Sequence, residues 1–398
     1  MMESLGKHLL EKQMLHCNGN LFHVRCAAHV INLIVKDGLQ AVDRVIDDVR
    51  DSVKYIRSSQ SRKEKFEEIV QELGISYVKR PSLDVATRWS STYLMLKAAL
   101  PFKRAFHELA IQDMNYKYSP LPEEWKRAKV VCALLKVFKK ATKVVSGTRY
   151  PTSNLYFHQI WKVRQVLEEQ SSSANPIARA MVKEMQKKFD KYWEISYLTN
   201  CIPVIIDPRF KFGFIEFRLR QAFGDAAAVH ISKVDEAMKN LFSGYSSQIG
   251  ETFNYPTRES ETATMGQGCP WSDWTQHVSA HRKQGTSELN RYLVDDLFPC
   301  DKDGFDILHW WKLHAPKYPI LARMARDVLA VPASTVASES AFSTSSRVIS
   351  DYRSSMSCST VEALICLQDW FRAAGSSYSN ILECTNLDGN DDDIHIDL

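Results

Sequence analysis

The chain has 398 residues, 44% hydrophobic and 25% charged, with a net charge of only +4. This is ordinary globular composition, with room for about two to three domains and for a large core without disulfide staples. It excludes fibrous and low-complexity classes, and no apolar run approaches the ~20 residues that cross a bilayer. Leu21-Phe22-His23-Val24-Arg25-Cys26 alternates as a short strand does. Ala27 to Leu39 then reads as a helix, with Val30, Leu33 and Ile34 on one face and Gly38 near its end. A strand feeding a helix is an α/β signature, although one strand cannot form a sheet. Further helices are expected over Ala41 to about Leu73, Leu94 to about Leu109, Glu123 to Val145, Pro176 to Trp193 and Val229 to Tyr245. Pro203 to Arg209 reads as a buried strand or turn. Residues 246–286 are rich in Ser, Thr, Gly and Gln and read as a flexible linker. Tyr318, Leu321, Met324, Ala325 and Val328 mark a helix. Ser359 and Glu362 fit a capping box opening another through Trp370. Residues 373–398 read as a disordered acidic tail.

From Lys97 to Arg149 there are 12 Lys/Arg against 4 Asp/Glu, a local excess of 8. Such helices either neutralise phosphates or present a solvated face. Lys126, Arg127, Lys129, Lys136, Lys139, Lys140 and Lys143 are concentrated enough to keep DNA binding in play, with Lys136, Lys139 and Lys140 as candidate DNA contacts. The nine cysteines are scattered, with no C-x-x-C pair. That suits a reduced, intracellular setting. The first residues lack a signal-peptide core.

Several motifs carry two readings. Cys26-Ala27-Ala28-His29 has half the spacing of a zinc site, but a structural zinc needs about four ligands and no second pair is suitably spaced. No metal is assigned to it. In Asp84-Val85-Ala86-Thr87-Arg88-Trp89-Ser90-Ser91-Thr92-Tyr93, Arg88 suits a phosphate and Trp89 a base stack. The plainer reading is a helix start capped by Asp84 or Thr87, with Trp89 in the core. Glu339 falls in the first turns of a helix expected after Pro332, where a carboxylate is favourable beside the dipole. Its other reading is a magnesium ligand, but two-metal phosphoryl transfer needs several converging carboxylates. Asp207, before Pro208, reads as a turn cap. Leu293, Trp310, Trp311, Tyr318, Phe342 and Trp370 suit either a core or an aromatic-rich oligomer interface.

Taken together, four blocks resemble the hAT superfamily of transposases, in particular its plant RICESLEEPER-like branch. They are Phe22 to Val35, Asp84 to Leu96, Ile206 to Lys211, and nearly all of Ser287 to Trp370. The resemblance implies a mixed, mostly α chain: an incomplete RNase H-like fold interrupted by a large all-helical insertion, with a C-terminal dimerisation region. The corresponding domains are 1–40 as a remnant of the RNase H-like core, 41–245 as the insertion, 246–286 as linker, 287–372 as the dimerisation region and 373–398 as tail. In the family, two Asp and one Glu hold divalent metal. Glu339 matches the Glu, Cys26 and His29 match a motif near the active site, and Arg88-Trp89 match one close to DNA. Met1 to Asn20 contains no Asp, and neither the BED zinc finger nor the early sheet strands are found before Phe22.

The expected protein is therefore a truncated or domesticated hAT transposase of the nucleus that has lost catalysis, keeping only the Glu of the Asp/Asp/Glu set. It pairs with itself or with related hAT proteins and contacts DNA. It takes no membrane, no small-molecule substrate and no cofactor, with Mg2+ relevant only if the missing Asp residues are supplied. Its alternatives are a fragment of an active transposase and a dimeric scaffold without DNA binding. Sheet edges left exposed by the missing strands are expected to make the chain poorly soluble.

Overall fold

A computed structural model of the chain describes residues 2–12, 14–77, 79–252, 287–299, 304–340 and 356–374. The helices, in chain order, are α1 (Met2–Glu11), α2 (Ala27–Gln40), α3 (Asp43–Arg57), α4 (Gln60–Glu72), α5 (Trp89–Ala99), α6 (Lys103–Gln112), α7 (Pro122–Val145) and α8 (Ser153–Ser171). Then come α9 (Pro176–Ile205), α10 (Lys211–Phe223), α11 (Ala227–Thr252), α12 (Glu288–Val294), α13 (Ile307–His314), α14 (Pro319–Ala330) and α15 (Cys358–Ala374). Two compact units form. One gathers Met1–Val24 with Leu198–Val331, the other Arg25–Tyr197 with Pro332–Leu398, so the division falls within α9.

In the second unit, α7 packs against α2, α3, α5 and α8. Pro122 opens it at a position where a missing N–H costs nothing, and the Glu124 carboxylate accepts the Leu121 amide at 2.6 Å. Trp125, Ala128, Val131, Cys132, Leu135 and Phe138 recur at three and four residues and are all buried. On α2 the buried set is Ala27, Val30, Ile31, Ile34, Val35 and Gly38. A Cβ on Gly38 would lie 2.5 Å from the Met185 Cγ, so this glycine serves a close approach of α2 and α9 rather than a helix end. The segment after Pro332 closes back on this unit. Ala27 N–H donates to the Ala333 carbonyl at 2.8 Å, and Ala333 N–H donates to the Thr152 hydroxyl at 2.9 Å.

In the first unit, α11 packs against α10 and α14, and α14 against α12 and α13. Its centre is aromatic: Tyr292 and Tyr318 stand edge to face with centroids 5.7 Å apart, and Trp311 lies 5.3 Å from Tyr292.

The mostly helical expectation holds, with 76% of the structure helical. Several details differ. Residues 23–26 are irregular and follow a turn, so the alternation at Leu21 to Cys26 is not a strand. Among the described residues there is no strand. The helix expected from Ala41 to Leu73 is two, because Ser59 caps a new start by accepting the Arg62 amide at 3.3 Å. The helix expected from Leu94 to Leu109 is interrupted by a single turn at Leu100–Phe102, where Pro101 sits. Pro203 to Ile205 is the end of α9, which runs thirty residues rather than stopping at Trp193, and a buried turn follows. The last helix is capped by Ser357, whose hydroxyl accepts the Thr360 amide at 3.2 Å, two residues before the expected Ser359. α11 reaches Thr252, past the start expected for the linker. The rest of that linker, residues 253–286, and the tail from 375 lie outside the described residues.

Candidate functional site

The Asp84 block lies in the second unit and is a pinned turn. Arg50 donates to both Asp84 oxygens, from Nε at 2.8 Å and from Nη2 at 2.9 Å, and Thr92 Oγ1 donates at 2.8 Å. The Asp84 side chain is 1% exposed. Burial pushes its carboxyl up, but Arg50 and Thr92 outweigh burial and hold it below the ordinary carboxylate value. Ser91 Oγ accepts the Val85 amide at 2.8 Å and closes the loop. Arg88, the residue before α5, is left exposed, whereas Trp89 is buried at 7% exposure. Arg88 is therefore accessible to solvent. Trp89 packs in the core, as its plainer reading had it, and has no free face for stacking. Arg50, which fixes the motif from 34 residues away, carries no signal in the sequence.

On α7, Lys126, Lys129, Lys136 and Lys140 recur at helical spacing and share one side of the helix. Lys126 and Lys129 are exposed, and Lys136, Lys139 and Lys140 are half-buried. Lys136, Lys139 and Lys140 are thus less accessible than Lys126 and Lys129 of the same basic run.

A second cluster in the same unit joins chain-distant motifs. Cys26 sits at the N-terminus of α2. The Thr335 amide donates to its sulfur at 3.4 Å, the Thr335 hydroxyl lies 3.3 Å from it, and Ser334 Oγ is 3.8 Å away. The same Thr335 hydroxyl donates to Glu339 Oε1 at 2.7 Å. Cys26 and Glu339 are therefore linked through one side chain. Burial pushes the Cys26 thiol up, but its hydrogen bonds, led by the Thr335 hydroxyl, leave it below its usual value. His29 is exposed in the first turn of α2, and Glu339 is exposed within the helical residues 336–340.

In the first unit, the Ile206-to-Lys211 block and the Ser287 block hold each other. Asp207 is fully buried and accepts Arg209 in bidentate fashion at 2.9 and 2.7 Å, which makes it a turn cap. Tyr292 OH donates to the Ile205 and Ile206 carbonyls at 3.0 and 2.9 Å, and Trp311 Nε1 donates to Ile206 at 3.1 Å. These satisfy carbonyls orphaned at the end of α9. Glu288 accepts the Leu321 amide at 2.7 Å and so caps α14. Lys211, at φ 52, donates to the carbonyls of Tyr292, Asp295 and Asp296 at 2.6, 2.7 and 3.1 Å. Trp311 and Tyr318 are 4% and 1% exposed and do not face outward, because they build this core. Trp310 is half-buried and stacked on His314 at 3.8 Å, and Leu293 is half-buried. Phe342 lies outside the described residues. Trp370 is 65% exposed on α15, which belongs to the second unit, beside Phe371 at 73%, with Leu364 and Leu367 also exposed.

Three protein-family models match in order along the chain. Residues 24–134 match the ZBED1 RNase-like helical domain, 154–245 the hAT-like transposase RNase-H fold, and 288–371 the hAT family C-terminal dimerisation region. The chain is 39% identical over 386 residues to the zinc finger BED domain-containing protein RICESLEEPER 2 of Oryza sativa subsp. japonica, covering 93% of this chain and 53% of that protein. The chain belongs to the hAT transposase family. Among other hAT relatives, it is 35% identical to the putative AC transposase of Zea mays, over 92% of this chain and 46% of that protein. It is 34% identical to DAYSLEEPER of Arabidopsis thaliana, over 95% and 53% respectively. The chain spans about half the length of these hAT relatives. The described residues do not fit a magnesium site. Glu339 is one exposed carboxylate with Oε1 bound by Thr335, and among the described residues no three His, Cys, Asp or Glu converge.

Proposed function

We propose that this hAT chain is a nuclear, self-associating, DNA-contacting protein that does not itself cut or join DNA. The observation that carries the reading is the dimerisation region at 288–371 together with the exposed apolar side chains on α15. Leu364, Leu367 and Phe371 recur at i, i+3 and i+7, the anchor spacing of a helix that docks on a partner. The partner is a second copy or a related hAT protein. Trp370 is kept as an interface residue, with Phe371 added. Trp310 and Leu293 remain secondary candidates, while Trp311 and Tyr318 support the surface from within. Light scattering on the purified chain is expected to give twice its mass of 45.6 kDa. A monodisperse monomer at micromolar concentration would overturn the reading.

DNA contact is proposed through Arg88 and the α7 face bearing Lys136, Lys139 and Lys140. Its signature is an affinity that falls steeply with salt. No shift of duplex even at low salt would favour a scaffold without a DNA role. Absence of catalysis by this chain is proposed because Glu339 is a single exposed carboxylate and, among the described residues, no three His, Cys, Asp or Glu converge around a metal. Magnesium-dependent nicking by the purified chain, abolished by Glu339→Ala, would contradict it. A second reading is favoured by the half-length match: the chain acts as part of a longer transposase whose other residues supply the two Asp. An in-frame BED finger and Asp-bearing segments encoded upstream of Met1 would decide for it.

A further inference from the structure

The start of α7, the end of α5 and the first turns of α6, all within the second unit, enclose an open groove of about 780 Å3. Its rim carries Lys97, Lys103, Arg104, His107, Lys126 and Lys129, and Glu108 is the one carboxylate among its lining residues. Lys103, Arg104 and Lys129 are exposed and make no ion pair among the described residues. Lys126 pairs with Glu123 at 2.8 Å, but both are well exposed, so the pair holds the cation weakly. Glu108 already accepts Gln112 Nε2 at 3.0 Å. Like charges gathered around a concavity focus a positive field, which raises the local concentration of anions. Leu100, Pro101 and Pro122 add apolar surface to its lining.

The cations form two short rows, on α6 and on α7. At ~1.5 Å rise per residue, Lys126 and Lys129 on α7 are about 4.5 Å apart along the axis, comparable to the ~3.4 Å axial spacing of phosphates on one strand. The α7 row continues beyond the groove through Lys136 and Lys140. That continuation suits a linear polyanion better than a compact one. We propose that this groove binds the phosphate backbone of duplex DNA, without regard to sequence. The proposal rests on the DNA-contacting reading above and adds the place, a groove shared by α6 and α7 that residue density along the chain does not show.

The test uses the full chain and the variant Lys103→Gln/Arg104→Gln/Lys129→Gln, with fluorescence anisotropy on short duplexes of two unrelated sequences across a range of salt. All three positions are exposed, and circular dichroism melts check that both proteins fold alike. The variant is expected to weaken binding equally on the two sequences. It should also flatten the plot of log affinity against log salt by roughly 2 to 3, since each phosphate no longer neutralised takes away about 0.9. An unchanged slope, with the wild type still binding, would overturn the groove while leaving DNA contact through Arg88 and the rest of α7 in place. Absence of wild-type binding at the lowest salt would instead remove the DNA reading itself. Calorimetry with inorganic pyrophosphate separates the sources of phosphate. Pyrophosphate binding abolished in the variant while its DNA slope stays intact would make the groove a small-anion site and overturn the proposal, as would tighter binding of duplex RNA than of duplex DNA.

Discussion

At Asp84 a buried carboxylate, rather than the arginine displayed beside it, decides whether the turn exists. Asp84→Asn leaves Arg50 half-paired and is expected to cost about 3 kcal/mol at neutral pH by chemical denaturation, in the range for breaking a buried ion pair. The pH dependence has a definite sign. Because the folded carboxyl sits below its ordinary value, the folded state binds the proton less readily than the unfolded chain. Its contribution is complete above the unfolded value of ~3.9 and is lost as pH falls through the folded one. Asp84→Asn should therefore flatten the acid limb of the stability curve below about pH 4. Lys211 acts by a different route. Its ammonium answers three carbonyls, so Lys211→Met is expected to destabilise by about 3 kcal/mol through unsatisfied acceptors. Lys211→Gly would regain about 1 kcal/mol from the positive φ, yet a thermal melt should still show a net loss. Neither partnership is legible in the sequence. Arg50 is 34 residues from Asp84 and Lys211 is 81 from Tyr292, and no spacing rule reaches across such gaps.

For whole elements, legibility follows periodicity. α7 is readable because its aliphatics keep a strict helical spacing over six turns. α8 escapes sequence reading because its buried face is built from Tyr156, Phe157, Ile160 and Trp161, types with no strong helix preference. The alternation at Leu21 to Cys26 misleads because six residues are too few to separate a strand from irregular chain, and Gly19 with φ 77 starts a turn there. The aromatic block near the C-terminus does mark an important region, yet composition cannot tell an internal donor such as Trp311 from an external anchor such as Trp370. α15 carries the corresponding prediction. Trp370→Glu with Phe371→Glu should leave the thermal melt unchanged, because both side chains are exposed, and weaken self-association at least 30-fold, as for loss of a hot spot worth about 2 kcal/mol. Calorimetric melts and sedimentation equilibrium read the two outcomes, and an unaltered dimer constant would show that the interface lies elsewhere.

At the scale of the whole molecule, the proposed pairing and the proposed DNA contact would reinforce each other. Two copies joined at the dimerisation region offer two basic surfaces, so the second contact with a long duplex becomes intramolecular. The α15 double variant should thus lose roughly 100-fold or more in apparent affinity for long DNA while binding a duplex that fits one copy as before. Equal loss on both lengths would point instead to damage in the DNA surface. The pinning of residues 333–335 against Cys26 and Thr152 has a consequence for biosynthesis. Both units are assembled from segments far apart in the chain, Met1–Val24 with Leu198–Val331 and Arg25–Tyr197 with Pro332 onward. A nascent chain carrying the first 197 residues holds most of one unit and the opening strip of the other, and can finish neither. The corner that carries Cys26 closes only once Thr335, 309 residues further on, has emerged. Closing these long loops costs chain entropy, so each unit is completed only after its C-terminal segment has been made.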